Sequence, residues 1–323
     1  MSQRATPTSP GPDAATAAPL AARSDPGRLV SGYDARHHHL ELRRAGRDLA
    51  GTVDAWAVDP VRAWAVREGL HARLEAVVPR PAVVARAGSL RSGPTGAASA
   101  VSEVRLGEPV EVVAEEGPWR KVRTGPDRYL GWIPVDRLAT AAPEATHAVT
   151  ILRSHAYAAP RVQGAVLARL AWGDRLRVRA DGEGFHEVLL PDGRTGFVPA
   201  PALTPIPEVP VRPPLESWRA FLDTPYLWGG GSAWGIDCSG FVQLLFRMAG
   251  RDVPRDADEQ HADGREVETP EPGDLVCMQG HVGLYLGDDR MAHASGRAMR
   301  VVETPVLTGP EDEARFLGWV RFA

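Results

Sequence analysis

Through the middle of the chain, apolar residues alternate with polar ones in short runs, and the runs come in two matching sets. The first set is Leu106-Gly107-Glu108-Pro109-Val110-Glu111-Val112-Val113, then Trp119-Arg120-Lys121-Val122, then Gly131-Trp132-Ile133-Pro134. The second is Trp172-Gly173-Asp174-Arg175-Leu176-Arg177-Val178, then Phe185-His186-Glu187-Val188, then Gly196-Phe197-Val198-Pro199. Allowing a single one-residue gap, the sets define two copies of about 60 residues, built of short strands parted by Gly, Pro and Asp turns. This predicts two small β-barrels, over 76–142 and 146–204. Pro205-Ile206-Pro207 through Pro213-Pro214 predicts a stiff linker over 205–214.

After the linker the period changes. Phe241, Leu244, Leu245 and Met248 recur at helical spacing and Gly250 is a stop signal, so 238–249 is predicted as a helix capped by Asp237. Val282, Leu284 and Leu286 then alternate with His281, Gly283 and Tyr285, which predicts a strand with one apolar side and His281 on the other. Gly287-Asp288-Asp289 predicts a hairpin turn, after which 290–294 returns antiparallel and carries His293. At the other end, residues 1–25 are rich in Ala, Pro, Ser and Thr and are expected to form a disordered tail. Residues 26–75 are expected to hold mixed short elements, around 48–53 and 61–66, with no assigned role.

Composition narrows the class. The 323 residues are 43% hydrophobic and 24% charged, an ordinary globular balance with room for two or three domains. The net charge is -4, Lys121 is the sole lysine, and acids are interspersed among the arginines. No basic stripe therefore suggests nucleic acid or an anionic surface. No apolar run approaches the roughly 18 residues of a membrane span, and the first residues lack the apolar core of a signal peptide. A cytoplasmic location is the expectation. Two cysteines provide no disulfide framework.

The chemistry centres on Cys238, within Tyr226-Leu227-Trp228-Gly229-Gly230-Gly231 … Asp237-Cys238-Ser239-Gly240-Phe241. In the first turn of a helix, the dipole and unpaired amides favour a thiolate, and a free-thiol pKa of about 8.5 can fall to roughly 3.5–7.5. His281 and His293, on neighbouring antiparallel strands, would supply a base and its orienting partner. Cys277 reads as a small buried hydrophobe, and His37-His38-His39 as solvated surface. No metal or other cofactor is expected.

These motifs, with Pro272-Gly273-Asp274-Leu275-Val276, His281-Val282-Gly283-Leu284-Tyr285 and His293-Ala294, resemble the NlpC/p60 family of bacterial cell-wall peptidases over about the last 110 residues. The resemblance implies a papain-like α+β catalytic domain over 215–323, preceded by two bacterial SH3-like barrels. It implies that Cys238 is the nucleophile, His281 the base and His293 the third residue, with Tyr226 beside the nucleophile helping to hold the oxyanion together with the Cys238 amide. Pro254-Arg255-Asp256-Ala257-Asp258-Glu259-Gln260 resembles a segment of a subgroup that trims stem peptides with a free N-terminal L-alanine. By that resemblance the substrate-binding residues are Asp237, Ser239, Arg255, Asp256, Tyr129 and Glu103, with Asp256 pairing the substrate amine and Tyr129 closing the pocket from the first barrel.

The implied activity is hydrolysis of the γ-D-glutamyl–diamino acid bond in free L-Ala-γ-D-Glu-diamino acid peptides, a step of cell-wall recycling. The expected partner is that peptide, with neither nucleic acid nor membrane. A general wall endopeptidase, or an amidase cutting between muramic acid and L-alanine, would share the Cys–His core, although Arg255-Asp256 disfavours the amidase. Thiol acyltransferases place the histidine before the cysteine, the reverse of the order here. A non-catalytic protein that binds wall fragments is the third alternative, and it leaves the retention of all three catalytic residue types unexplained.

Overall fold

The computed structural model describes residues 33–322, so the predicted tail over 1–25 lies outside the described residues. The chain divides after Val78 into two compact units, each treated by itself. In the first, strands β1 (Leu40–Ala45) and β2 (Asp48–Val53) pair antiparallel, and β3 (His71–Ala76) adds parallel to β2 after helix α1 (Val58–Arg67). Leu40, Leu42, Leu49, Val53, Val61, Ala65 and Leu70 form its core. Val61 and Ala65 are four apart, so the stretch over 61–66 buries a helical stripe. The histidine run is not simply solvated surface. His39 is fully buried, its N–H donates to Asp54 Oδ2 (2.8 Å), and its Nε2 lies 2.9 Å from Thr52 Oγ1.

The second unit opens with two seven-stranded sheets. The first runs β4 (Arg80–Val84), β5 (Gly88–Arg91), β6 (Ala100–Val104), β7 (Pro109–Glu116), β8 (Trp119–Thr124), β9 (Leu130–Pro134) and β10 (Leu138–Ala139), in the spatial order β10-β4-β7-β8-β9-β5-β6. The second runs β11 (His147–Val149), β12 (Arg153–Tyr157), β13 (Val166–Ala171), β14 (Arg175–Ala180), β15 (Phe185–Leu189), β16 (Thr195–Pro199) and β17 (Leu203–Pro205). Its order, β13-β12-β16-β15-β14-β11-β17, is the same topology read from the opposite edge. The repeat extends to the irregularities. A bulge follows Val112, which faces Val122, and another follows Val178, which faces Val188.

The two copies use one turn for two different joints. Leu106, at the tip of the first copy's turn, is buried in the core of the second barrel with Val149, Leu170, Leu176 and Val198. Its N–H donates to Asp174 Oδ1 (3.0 Å) and its carbonyl accepts from Arg175 N (2.9 Å). The equivalent residue of the second copy, Trp172, is buried in the core of the catalytic domain. Each tip is followed by a glycine with left-handed backbone, Gly107 (φ 79°) and Gly173 (φ 87°).

After the 205–214 segment and the short helix α2 (Pro214–Ser217) comes the catalytic layer. A small ribbon, β18 (Gly231–Ser232) with β19 (Gly235–Ile236), leads into helix α3 (Cys238–Met248), and α4 (Ala257–Asp263) follows it. A six-stranded antiparallel sheet has the order β20-β25-β21-β22-β23-β24. Its strands are β20 (Arg265–Val267), β21 (Leu275–Met278), β22 (His281–Gly287), β23 (Arg290–Ser295), β24 (Arg300–Pro305) and β25 (Phe316–Arg321), with α5 (Pro310–Arg315) before the last. Phe241, Leu244 and Leu245 of α3 pack on Leu275, Cys277, Val282, Leu284 and Ala292. The face expected to be polar is also covered, by Val276, Met278, Tyr285, Met291 and Val306. His281 therefore sits at the edge of a second apolar layer.

Gly107 separates steric from conformational cost. A Cβ there would lie 2.2 Å from Arg175 O, whereas one at Gly117 (φ 51°) would meet nothing within 4 Å. Gly117→Ala should cost only the left-handed penalty of about 1–2 kcal/mol. Gly107→Ala, which adds the clash to a similar penalty, should cost about 3 kcal/mol or more, read from urea unfolding midpoints.

Candidate active site

Helix α3 begins where the chain has nowhere else to go. Gly230 and Gly240 approach so closely that a Cβ on Gly240 would lie 2.3 Å from Gly230 O. Asp237 caps the helix, accepting from Gly240 N through Oδ1 (2.7 Å), while Oδ2 accepts from Gly229 N (2.8 Å). Both oxygens also take a bidentate ion pair from Arg255, at 3.0 Å from Nη1 and 2.8 Å from Nη2. Arg255 is 2% exposed, and its remaining donors reach Ser102 Oγ, Ser239 Oγ and Gly230 O. All five of its N–H groups are thus occupied inside the protein. Asp237, Ser239 and Arg255 together form a clamp at the start of α3 that is tied to the first barrel through Ser102.

The histidines meet for a stereochemical reason. Leu284 pairs with Ala292 and Tyr285 with Met291, so continuing the register sets Gly283 opposite His293. A Cβ on Gly283 would lie 3.2 Å from His293 Cβ. With no side chain between them, His281 leans diagonally across and places Nε2 2.6 Å from His293 Nδ1. His293 Nε2 lies 3.2 Å from Thr304 Oγ1 on β24. The turn that brings the strands back has Asp288 (φ 49°) and Asp289 (φ 54°) both left-handed, as a tight hairpin requires.

The electrostatics differ from the sequence expectation for a helix-start thiol. Burial, with the Asp237 carboxylate beside it, pushes the Cys238 thiol up to about 11, against the backbone N–H groups of Val282 and Ser239 that favour the thiolate. Burial holds His281 down at about 3, aided by His293 and Arg315, and holds His293 at about 4. Burial thus favours the neutral forms of the thiol and of both imidazoles. Tyr226 packs over Gly296, where an added Cβ would lie 3.7 Å from Tyr226 Cζ, and burial with the nearby Cys238 and Asp237 pushes its hydroxyl up to about 12. Cys277 lies in the core at 1% exposure, its thiol also pushed up by burial.

The remaining expected residues gather at the barrel interface. Tyr129 of the first barrel donates its hydroxyl to Asp256 Oδ2 at 3.0 Å. Glu103, on β6, accepts from Gly231 N (2.8 Å) and Ser232 Oγ (3.3 Å). Burial raises the carboxyl pKa of Glu103, with the Gly231 amide and Arg105 opposing. A cleft of about 530 Å³ opens beside the histidines, lined by Tyr226, His281, His293, Ser295, Asp312 and Arg315 among others.

A thiol at the start of a helix, held against the Val282 backbone N–H of a strand that carries His281 of a hydrogen-bonded histidine pair, is the arrangement of a papain-like cysteine hydrolase. The comparisons with known proteins make the class specific. The NlpC/P60 family model matches residues 223–318, and a bacterial SH3 domain model matches 84–139. The chain is 30% identical over 222 residues to the gamma-D-glutamyl-L-lysine dipeptidyl-peptidase of Bacillus subtilis, covering 62% of this chain and 75% of that protein. It is 29% identical over 237 residues to dipeptidyl-peptidase 6 of Lysinibacillus sphaericus, covering 66% and 86%. A crystal structure of an NlpC/P60 family protein from Bacillus cereus shares the fold, with a TM-score of 0.65 at 22% identity, over 75% of this chain and 99% of that one. The chain belongs to the NlpC/P60 family, and it is a cysteine peptidase. Among the described residues no helix is long and apolar enough to cross a membrane.

Several structural partners carry no local sequence signal. Ser102, Thr304 and Asp127, which accepts from Gln243 Nε2 at 2.9 Å, are ordinary polar residues until the fold supplies their partners. Gln260 had a signal in its spacing from Arg255. It is fully buried and donates to Ser239 O (3.0 Å) and Pro254 O (2.8 Å), bracing α4 against α3.

The buried histidine pair predicts a pH-dependent stability. Both pKa values are depressed on folding from 6.5, so between about 6.5 and about 4 the unfolded chain binds more protons than the folded one. Stability attributable to this pair should be complete above 6.5 and fall as the pH drops through that window. In urea titrations the double variant His281→Gln/His293→Gln should show a flatter decline there. An identical slope would mean the rings are protonated at little cost.

Proposed function

We propose that this peptidase hydrolyses the bond between γ-D-glutamate and the following diamino acid in peptidoglycan peptides that carry a free N-terminal L-alanine. The observation that carries the reading is the Tyr129–Asp256 hydrogen bond. It brings a phenol from the first barrel onto a carboxylate one residue beyond Arg255, and so closes one end of the site with an acidic wall. A free ammonium can add a charged hydrogen bond to Asp256 there, whereas an N-acylated end brings no charge to meet it.

The chemistry follows from the site. In the tautomer with the proton on His281 Nε2, that ring donates to His293 Nδ1 and His293 Nε2–H donates to Thr304 Oγ1, leaving His281 Nδ1 as the base. Because the resting thiol is neutral, its proton passes to His281 as sulfur attacks the amide carbonyl. The tetrahedral oxyanion is held by Tyr226 and the Cys238 amide. Collapse breaks the C–N bond, and the amine leaves with the proton from His281. Water, deprotonated by the same ring, then hydrolyses the thioester, releases L-Ala-γ-D-Glu and restores the thiol. Cleaving short free-amine peptides suits recycling of released wall fragments in the cytoplasm.

The test compares L-Ala-γ-D-Glu-diamino acid with its N-acetylated form, using Cys238→Ala as the inactive control. The free peptide should be cleaved and the acetylated one spared. Asp256→Asn should lower kcat/KM for the free peptide roughly 10–100-fold, mainly through KM, as expected for losing one charged hydrogen bond. Tyr129→Phe should have a smaller effect in the same direction. Equal cleavage of both peptides would point to a general wall endopeptidase.

A further inference from the structure

Both barrels and the catalytic domain contribute walls to a second cavity, of about 380 Å³, whose lining includes none of the catalytic residues. Arg105 and Glu108 come from the turn after β6, Trp172 and Arg175 from the matching turn of the second barrel, and Ile206 and Val209 from the 205–214 segment. The catalytic domain supplies Arg247, nine residues and about 14 Å along α3 from Cys238. The volume falls in the range of small-molecule sites, roughly 300–1,000 Å³, which favour domain junctions of this kind.

Three arginines line this cavity against one carboxylate, and their donors are largely unused. Arg105 is 8% exposed, yet among the described residues its guanidinium makes a single hydrogen bond, from Nη2 to Gly231 O (3.1 Å), and its Nε is buried with no partner. Arg247 Nε lies 3.5 Å from Asp252 Oδ1 without forming a hydrogen bond. The neighbouring acids are turned to other donors. Glu108 accepts from Arg105 N, Asp174 from Leu106 N and Ala171 N, Glu103 from Gly231 N, and Asp127 from Thr124 and Gln243. Burial, with Arg247 nearby, holds Arg105 down at about 10. Two guanidinium groups that repel each other beside a cavity are relieved together by one anion.

We infer that this cavity is a second ligand site, for a small organic carboxylate with an apolar body. The carboxylate takes Arg105 and Arg247 as partners, since planar guanidinium groups match its two oxygens. The body packs on Trp172, Ile206, Val209, Val149 and Pro109, which form most of the remaining wall. Inorganic phosphate carries the charge but leaves that apolar wall uncovered. An occupant ties the turn after β6 to α3 and to the second barrel. Through Arg105, which holds Gly231 O, it also steadies the loop that leads into Cys238. The site is independent of which bond the peptidase cleaves.

The experiment is calorimetric titration of the full chain with phenylacetate, with its uncharged isostere phenylacetamide, and with inorganic phosphate. Phenylacetate should bind with a Kd on the order of 0.1–1 mM, and each of the others about tenfold or more weakly. Arg247→Gln should weaken phenylacetate by about tenfold, the scale of one charge-assisted contact. Arg175→Glu, at an exposed position, should weaken it roughly fivefold, and keeps the test open if Arg247→Gln does not fold. Arg315→Gln, in the cleft beside the histidines, should leave the affinity within about twofold of wild type. Absence of phenylacetate binding, or equal binding of the amide or of phosphate, would overturn the inference. So would an affinity that falls with Arg315→Gln and is unmoved by Arg247→Gln and Arg175→Glu.

Discussion

The active site depends on one buried ion pair. Asp237 caps the nucleophile helix, and Arg255 clamps both its oxygens from a position with almost no solvent exposure. The two charges would be costly apart, because removing either leaves the other desolvated and unpaired. Together they are satisfied by Gly229, Gly240, Ser239, Gly230 and Ser102. The partner from the first barrel, Ser102, means that the clamp is complete only when the barrel is docked. The Tyr129–Asp256 hydrogen bond crosses the same interface, so seating of the nucleophile and docking of the first barrel are parts of one packing arrangement.

The barrels are positioned by the same economy of parts. A turn that recurs in both copies places Leu106 in the second barrel and Trp172 in the catalytic core. The chain thus passes support from barrel to barrel to peptidase by repeating one device. Trp234 Nε1 donates to Leu170 O at 3.1 Å and adds a polar joint between catalytic domain and second barrel. Arg105 Nη2 donates to Gly231 O at 3.1 Å and adds another at the loop before the nucleophile. Short contacts of this kind hold a site to tighter geometry than a flexible tether could.

Much of this was legible in the sequence where local pattern and tertiary demand agree. The duplicated strand pattern, the amphipathic stripe Phe241-Leu244-Leu245-Met248 and the Gly287-Asp288-Asp289 turn each describe a local conformation, and the fold keeps it. Legibility ended where a residue's role is set by what arrives from elsewhere. Arg255 stands in a segment that resembles a substrate-contacting motif, yet burial occupies all five of its donors internally. The thiol of Cys238 sits at a helix start, which alone would favour the thiolate. Its burial beside Asp237 outweighs that effect, a balance no spacing rule contains. The equivalent Leu106 and Trp172 differ in destination because one turn meets a second barrel and the other a peptidase.

On the function proposed above, the first barrel and the catalytic domain jointly form the pocket for a free amino terminus. The most direct measurement is a crystal structure of the Cys238→Ala variant with L-Ala-γ-D-Glu-diaminopimelate bound. The L-alanine ammonium should lie within hydrogen-bonding distance of Asp256 and pack under Tyr129, with the γ-carbonyl over residue 238 and the amide nitrogen facing His281. An amino terminus pointing instead into the cleft beside Arg297 and Asp312, with the diamino acid against the barrel, would contradict it.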